Sequence, residues 1–428
     1  MVYLPFLVML VALLLGLPIA FSLATAGIVG IYLLGGDWNV VLRILATTPF
    51  GVTAEYILTT IPMFILMAYF SASGGLARDL YTAAANWFSP IRGGLAIATV
   101  FACGIFGAMS GASLAAAAVM SSIAMPEMRR HGYSDELAAG AIGIGATLDI
   151  LIPPSVGLVI YGITTQTSIG KLLIAGVIPG IIVGVFLVIA IVAWVRIRPA
   201  HAPATSVVSR AERWASLRRI WPSLMLIVLV VALLYTGVAT PTEVGALGAF
   251  LAGAIGAVFG RLTWAGALEA TRQTIKTSAL IFMILIGATV FGYYMAMSKI
   301  PQQVVAVVTE LNLNRWVVMI GIVVSYFVVS MFMDELPLLL LTLQLTFPLI
   351  TTLGFDPVWF GIISMLMVAM GLVFPPVGMI AFVVSSSGNV SLTKVYTGTS
   401  ILMIALVATT ALLMVFPQIV LWLPNTMK

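Results

Sequence analysis

Apolar stretches dominate the chain and are broken at short intervals by Gly, Pro and small polar clusters. A membrane-crossing helix needs about 20 apolar residues. Segments of that character lie near 3–17, 18–36, 50–72, 93–128, 136–168, 172–196, 220–238, 242–260, 278–298, 315–350, 358–388 and 396–423. Segments 37–49 and 261–277 are shorter and more polar, which predicts interfacial helices rather than spans. Two apolar segments are interrupted in their middles. Residues 93–128, flanked by Arg92, Arg129 and Arg130, carry the small-residue run Gly107-Ala-Met-Ser-Gly-Ala-Ser113, which suits a continuous helix poorly. Residues 315–350 carry Met331-Phe-Met-Asp-Glu-Leu-Pro337, where a proline follows two acids. Irregular backbone at membrane depth survives only inside protein or along a cavity. Both segments therefore predict re-entrant helical hairpins with the break at the tip.

The two halves repeat. Pro126 returns as Pro348, Gly132 as Gly354, Tyr133 as Phe355 and Pro153-Pro154 as Pro375-Pro376, each 222 residues on. Pro18 with Pro241, and Trp38 with Trp264, are weaker echoes upstream. Each unit reads as two helices, an interfacial arm, a helix, a hairpin, a broken helix (136–168 and 358–388) and a closing helix. Five crossings separate the hairpins, and an odd number predicts that they enter from opposite sides. The expected architecture is an all-α integral membrane protein of two inverted repeats, 1–195 and 220–428, joined by a linker at 196–219. Inverted repeats with broken helices mark secondary transporters, whose binding site lies near the membrane midplane.

Composition sharpens this reading. Of 428 residues 62% are hydrophobic and 8% charged, against about 25% charged in a soluble domain. That excludes a soluble enzyme, a disordered hub and a secreted disulfide scaffold. Cys103 is the single cysteine, so no intrachain disulfide and no cysteine metal cluster is available. The net charge is +5, and the linker holds all of it, with six arginines against Glu212 between Arg196 and Arg219. By the positive-inside rule the linker is cytoplasmic and both termini are periplasmic. This topology places 14 Lys and Arg inside and five outside: Arg43, Lys171, Lys299, Arg315 and Lys428. No aromatic–basic module accompanies the arginines, so nucleic acid is not an expected partner. No Lys or Arg precedes Arg43, so the N-terminus does not read as a secretory signal.

The candidate chemistry lies at the breaks. A proline removes the hydrogen bond to the carbonyl four residues back. Pro153-Pro154 would free the carbonyls of Asp149 and Ile150, and Pro375-Pro376 those of Gly371 and Leu372. Unwound carbonyls coordinate cations in broken-helix transporters. Ser110 and Ser113 at the first tip, with Thr147 and Ser155 at the first break, add hydroxyls, so a cation site is expected between them. A weaker second site is expected between Asp334 and the Gly371–Val377 break. Asp149 lies deep in an apolar stretch, either as a cation ligand or protonatable group, or as a carboxylate paired with a polar neighbour or facing water. Asp334 and Glu335 read either as site residues or as solvated acids of a loop.

Other features have plainer readings. Thr240-Pro-Thr-Glu243 is a helix capping box. Trp38, Trp87, Trp194, Trp221, Trp264, Trp316 and Trp422 read as interface anchors. A P-loop sequence is missing. His131 and His201 fall in basic loops, so Ser110 would have no embedded base for nucleophilic chemistry. A membrane-embedded enzyme is thus a poor alternative, and a stand-alone sodium- or proton-coupled exchanger of similar repeat architecture a better one.

Several motifs together resemble a known family. They are Gly107–Ser113, Ile123-Ala-Met-Pro-Glu-Met128 with Gly132-Tyr133, Thr147-Leu-Asp-Ile-Leu-Ile-Pro-Pro-Ser155, Tyr161-Gly-Ile-Thr and Ser168-Ile-Gly-Lys-Leu172. In the second half they are Met333-Asp334, Gly354-Phe-Asp-Pro357, Phe360-Gly-Ile-Ile363 and Pro375-Pro-Val-Gly378, with Gly16-Leu-Pro-Ile-Ala-Phe21 and Thr240–Glu243 in support. From about residue 5 to 415 the chain resembles the large (M) membrane subunit of tripartite ATP-independent periplasmic (TRAP) transporters. The resemblance implies a substrate-translocating subunit in the bacterial inner membrane that imports small organic acids, carboxylates or sulfonates, on a sodium gradient. It implies an elevator-type movement, a separate small four-helix membrane subunit and a soluble periplasmic substrate-binding protein. It maps a first sodium site onto Ser110, Gly111, Ser113, Thr147, Asp149 and Ser155. A second maps onto Met331, Asp334, Gly371, Leu372, Pro376 and Gly378. Two positions depart from the family's pattern: Asp149 stands where Gly is common, and Phe374 where Thr is common.

Overall fold

In the computed structural model the described residues are 3–111, 113–203, 208–259 and 261–427, and of Ser110 only the backbone. The Ser110 hydroxyl, residues 204–207 of the basic linker and Lys428 thus lie outside the described residues. Every regular element among the described residues is a helix, as the apolar pattern predicts. Seven of these helices are long and apolar enough to cross a membrane.

The two segments expected as hairpins are each a pair of helices joined by a turn. The first is Gly94–Ser110 and Ser113–Arg130, the second Arg315–Ser330 and Glu335–Thr352. The first turns at Gly111, whose φ of 58° lies in the left-handed region open to glycine. The second turns over Met331–Asp334, inside the Met331–Pro337 stretch. Pro337 does not break it but sits in the first turn of the returning helix, where a missing N–H costs no intrahelical bond. Asp334 caps that helix by accepting a hydrogen bond from Glu335 N at 2.9 Å.

The segments 136–168 and 358–388 are each interrupted. The first runs as Asp135–Ala146, continues as a 3₁₀ turn over Thr147–Ile150, and resumes as Val156–Thr165. The second runs as Pro357–Gly371 and Met379–Gly388. Both Pro-Pro peptides are cis. The first arm of each hairpin packs on the leading half of its own broken helix. The returning arm packs on the trailing half of the other one: Ser113–Arg130 on Met379–Gly388, and Glu335–Thr352 on Val156–Thr165. Hairpins and broken helices thus interlock across the two halves into one hairpin body.

A second group of helices, the surrounding body, packs against it. Ile19–Gly35 crosses Trp264–Ser298, and Thr60–Ser73 lies against Pro241–Val258. The first crossing is close because of glycine: a Cβ at Gly287 would stand 2.1 Å from Ala20 O. Small residues let apolar helices approach backbone to backbone. The second pair is joined by a buried Thr60–Thr242 hydroxyl bond of 2.7 Å. The capping box at Thr240 and Glu243 is present. A second box, Ser209 with Glu212, starts a helix over Arg210–Thr236, so much of the basic linker is helical.

The interfacial arms differ between the halves. Trp38–Thr53 is a separate helix followed by a short 3₁₀ turn. The expected break between 261–277 and 278–298 does not occur: Trp264–Ser298 is one helix of 35 residues. That stretch contains no proline and no polar turn sequence, so nothing interrupts its hydrogen-bond ladder.

Candidate functional site

The first hairpin tip lies on the first break. Ser113 Oγ donates to Asp149 Oδ1 at 2.7 Å, and both side chains are buried. A Cβ at Gly107 would stand 2.5 Å from Asp149 Cβ, and one at Gly111 would stand 3.3 Å from Pro154 O. Of the residues expected at a first cation site, the structure therefore brings Gly111, Ser113 and Asp149 together. Thr147 and Ser155 are buried beside them but engaged locally. The Thr147 hydroxyl donates to Ile144 O at 2.8 Å, and Ser155 Oγ accepts from Leu158 N as the N-cap of Val156–Thr165.

The second tip lies on the second break through backbone. Gly378 N donates to Met331 O at 3.0 Å. Gly371 is pressed against the end of the first arm, and a Cβ there would stand 1.8 Å from Ser330 Oγ. The carbonyls of Gly371 and Leu372 each accept a backbone N–H, from Phe374 and Ile380 respectively. A carbonyl oxygen keeps a second lone pair when it accepts one bond. Gly378 has φ of 55°, and a Cβ there would stand 2.8 Å from Phe374 O.

Three polar residues of this break escape the sequence reading. Tyr396 OH donates to Val377 O at 2.6 Å and to Pro376 O at 3.1 Å. Thr399 Oγ1 donates to Val373 O at 3.0 Å, and Ser330 Oγ to Met367 O at 3.3 Å. Phe374 offers no hydroxyl, but Thr399 brings one to the adjoining carbonyl from the closing helix Leu392–Leu402. For Tyr396 and Thr399 the signal in the sequence was the polar start of the closing segment, Thr393–Ser400.

Both tips border one cavity of about 320 Å³. Gly111 and Ser113 come from the first tip, Asp334 and Glu335 from the second, and Tyr69 and Thr277 from the surrounding body. Tyr69 OH and Thr277 Oγ1 are hydrogen-bonded at 3.1 Å. Asp149 joins this wall through Ser113, which lines the cavity and donates to the Asp149 carboxyl. Glu335 is 8% exposed, so it is not the solvated loop acid that the sequence left open. Among the described residues no cluster of three metal-ligating His, Cys, Asp or Glu side chains occurs. A cation here would depend on hydroxyls and carbonyls as well as carboxylates, the oxygen donor set that hard cations take.

A larger cavity of about 1110 Å³ separates the two bodies elsewhere. Thr47, Glu55 and Tyr293 line one side, Gln166, Thr167 and Gln344 the other. At its edge Gln344 Nε2 donates to Ala288 O at 2.9 Å.

This is a multi-pass membrane protein in which two helical hairpins meet two broken helices around a shared cavity. The chain belongs to the family described as tripartite ATP-independent periplasmic transporter, DctM component, which it matches over residues 6–419. It is 36% identical over 366 residues to the C4-dicarboxylate TRAP transporter large permease protein DctM of Pseudomonas aeruginosa, covering 85% of this chain and 84% of that one. It is 32% identical over 413 residues to the ectoine TRAP transporter large permease protein TeaC of Halomonas elongata, covering 96% of each. Its fold is similar to that of the YdaH transporter of Alcanivorax borkumensis, with a TM-score of 0.67, 17% identity and 89% of each chain covered. The protein is a transporter permease subunit and not an enzyme. Family membership implies a small membrane subunit and a periplasmic binding protein as partners.

Proposed function

We propose that this chain is the substrate-translocating subunit of a sodium-coupled, binding-protein-dependent importer of small organic acids in the bacterial inner membrane. One observation carries the reading: both hairpin tips rest on Pro-Pro breaks and border the same cavity, at the junction of the two bodies. The printed substrates of the relatives, C4-dicarboxylates and ectoine, supply the class of small organic acids. Sodium would bind at Ser110–Ser113 with Thr147–Ser155, and at Met331–Asp334 with Gly371–Gly378. The hairpins would enter from opposite faces, with the 196–219 linker cytoplasmic and both termini periplasmic. The hairpin body would carry the solute past the surrounding body as an elevator.

The test is reconstitution. The chain, a four-helix small subunit and the periplasmic binding protein are assembled in proteoliposomes, and labelled solute uptake is followed. Uptake should need all three components and an imposed sodium gradient. Uptake by this chain alone would defeat the reading in favour of a stand-alone carrier.

A further inference from the structure

Glu335 stands out among the buried polar groups of the hairpin tips. It is 8% exposed, it borders the 320 Å³ cavity, and its Oε2 has no hydrogen-bond partner among the described residues. Its other oxygen lies 3.2 Å from where a Gly157 Cβ would stand, so Gly157 leaves the carboxyl room against the start of Val156–Thr165. A buried polar group without a partner costs about 1–3 kcal/mol, and a cationic partner beside a buried carboxyl favours its ionised form, whose oxygens accept hydrogen bonds. Asp334 borders the same cavity, while Ser113 already spends its hydroxyl on Asp149. No Lys, Arg or His is among the described residues of its wall. The remaining wall is largely apolar and includes the rings of Tyr69 and Phe106. Apolar walls with a few placed polar groups suit an organic ligand, and aromatic faces attract organic cations.

We infer that the translocated acid also carries a cationic nitrogen, an ammonium or amidinium group, which donates to Glu335 at this cavity. This deepens the functional reading above and rests on it. A solute bearing carboxylates alone would find no basic side chain among the described residues of the wall. A bare ion would leave most of the cavity unfilled. A zwitterion matches both the acceptor and the apolar wall.

The test uses the purified full-length permease in lipid nanodiscs with sodium present, by equilibrium dialysis of labelled solutes. The probes are β-alanine against propionate, aspartate against succinate, and ectoine. At least one amine- or amidine-bearing probe should be retained about ten-fold or more over the amine-free acids, the scale set by an unpaired buried polar group. Glu335→Gln should erase that preference, and Asp334→Asn should weaken it. Size-exclusion profile and thermal midpoint check that each variant folds; Glu335→Asp replaces the first if it does not. Preference for propionate or succinate overturns the inference, as does equal retention by Glu335→Gln, or no retention of any nitrogen-bearing probe. Stabilisation by sodium alone that Glu335→Gln removes, without a nitrogen preference, assigns the group to an ion and also overturns it. The dialysis needs no gradient and no binding protein. A failed three-component uptake assay therefore points at the functional reading, and a failed dialysis at the cationic group.

Discussion

Ser113, at the turn of the first hairpin, donates its hydroxyl to Oδ1 of Asp149 at 2.7 Å. The bond joins the hairpin tip to the 3₁₀ turn that ends the leading half of the first broken helix. It also answers the alternatives the sequence left for Asp149 in part, because the carboxyl has a polar neighbour at the place where a cation was expected.

Ser113→Ala removes that partner and leaves a buried acceptor. The expected loss of stability is about 1–2 kcal/mol, toward the low end because buried bonds in membrane proteins are weak on average. It is read as a lower thermal midpoint in detergent. Asp149→Asn keeps an acceptor for Ser113 but removes the charge. If Asp149 serves the coupling ion, thermal stabilisation by sodium over choline should fall, and so should uptake driven by a sodium gradient, with a proton gradient imposed separately. Unchanged sodium dependence and rate would sink that role.

The two tips should be sensitive to a single added methyl. At Gly107 it would meet Asp149 Cβ at 2.5 Å, and at Gly371 it would meet Ser330 Oγ at 1.8 Å. Overpacking of this kind costs about 1–3 kcal/mol. Gly107→Ala and Gly371→Ala should each lower the thermal midpoint and cut sodium-dependent uptake. Gly184→Ala, with open space at its Cβ, is the control. Adding Ser330→Gly to Gly371→Ala should restore stability in part only, since Phe327 O still stands 2.8 Å from the added carbon. Full recovery, or no recovery, would contradict the packing argument.

What could be read from the sequence followed how local each signal was. Gly111, Pro153-Pro154 and Pro375-Pro376 act on their own backbone, so the hairpins and breaks were visible as residue patterns. The Thr240–Glu243 cap is local in the same way. The role of Pro337 was misread, because proline reads as a breaker and only the Asp334 cap shows that it sits in the first turn of a helix. The contribution of Thr399 and Tyr396 was out of reach. Each serves a carbonyl about 20 residues or more away in sequence, and only packing of the closing helix brings them there. Glu335 was ambiguous for the same reason, since its burial is created by the other half of the chain.

If the hairpin body moves against the surrounding body, the contact between Gln344 and Ala288 must break in each cycle. Gln344 Nε2 donates to Ala288 O at 2.9 Å, from the returning arm of the second hairpin to the long helix Trp264–Ser298. Cys103 is the single cysteine and is buried, so Cys103→Ala gives a cysteine-free background. In it, Gln344→Cys with Ala288→Cys, joined by a short reducible cross-linker, should abolish uptake, and reductant should restore it. Full uptake in the cross-linked protein would mean that these two helices do not move apart.

Asp135 ties the two halves at the far end of the first hairpin. Its carboxylate meets Arg129 Nε at 2.8 Å and Lys394 Nζ at 2.9 Å, while Arg129 Nη2 donates to Asn389 O at 2.9 Å. Partial burial works against the charged form, but the hydrogen bonds and charges of Arg129 and Lys394 outweigh it. They hold the Asp135 carboxyl below the usual aspartate value of 3.8. A depressed acid favours the folded state once the unfolded chain's carboxyl is ionised, and that contribution is lost as pH falls through the lowered folded value. The link should therefore contribute in full above about pH 5 and fade below about pH 4. Thermal midpoints taken down that range should fall more steeply for the native protein than for Asp135→Asn, and the two curves should converge at the acid end. The groups are partly exposed, so high salt should shrink the difference at neutral pH. A constant gap between the curves at all pH values would mean that Asp135 stabilises the fold by shape and not by charge.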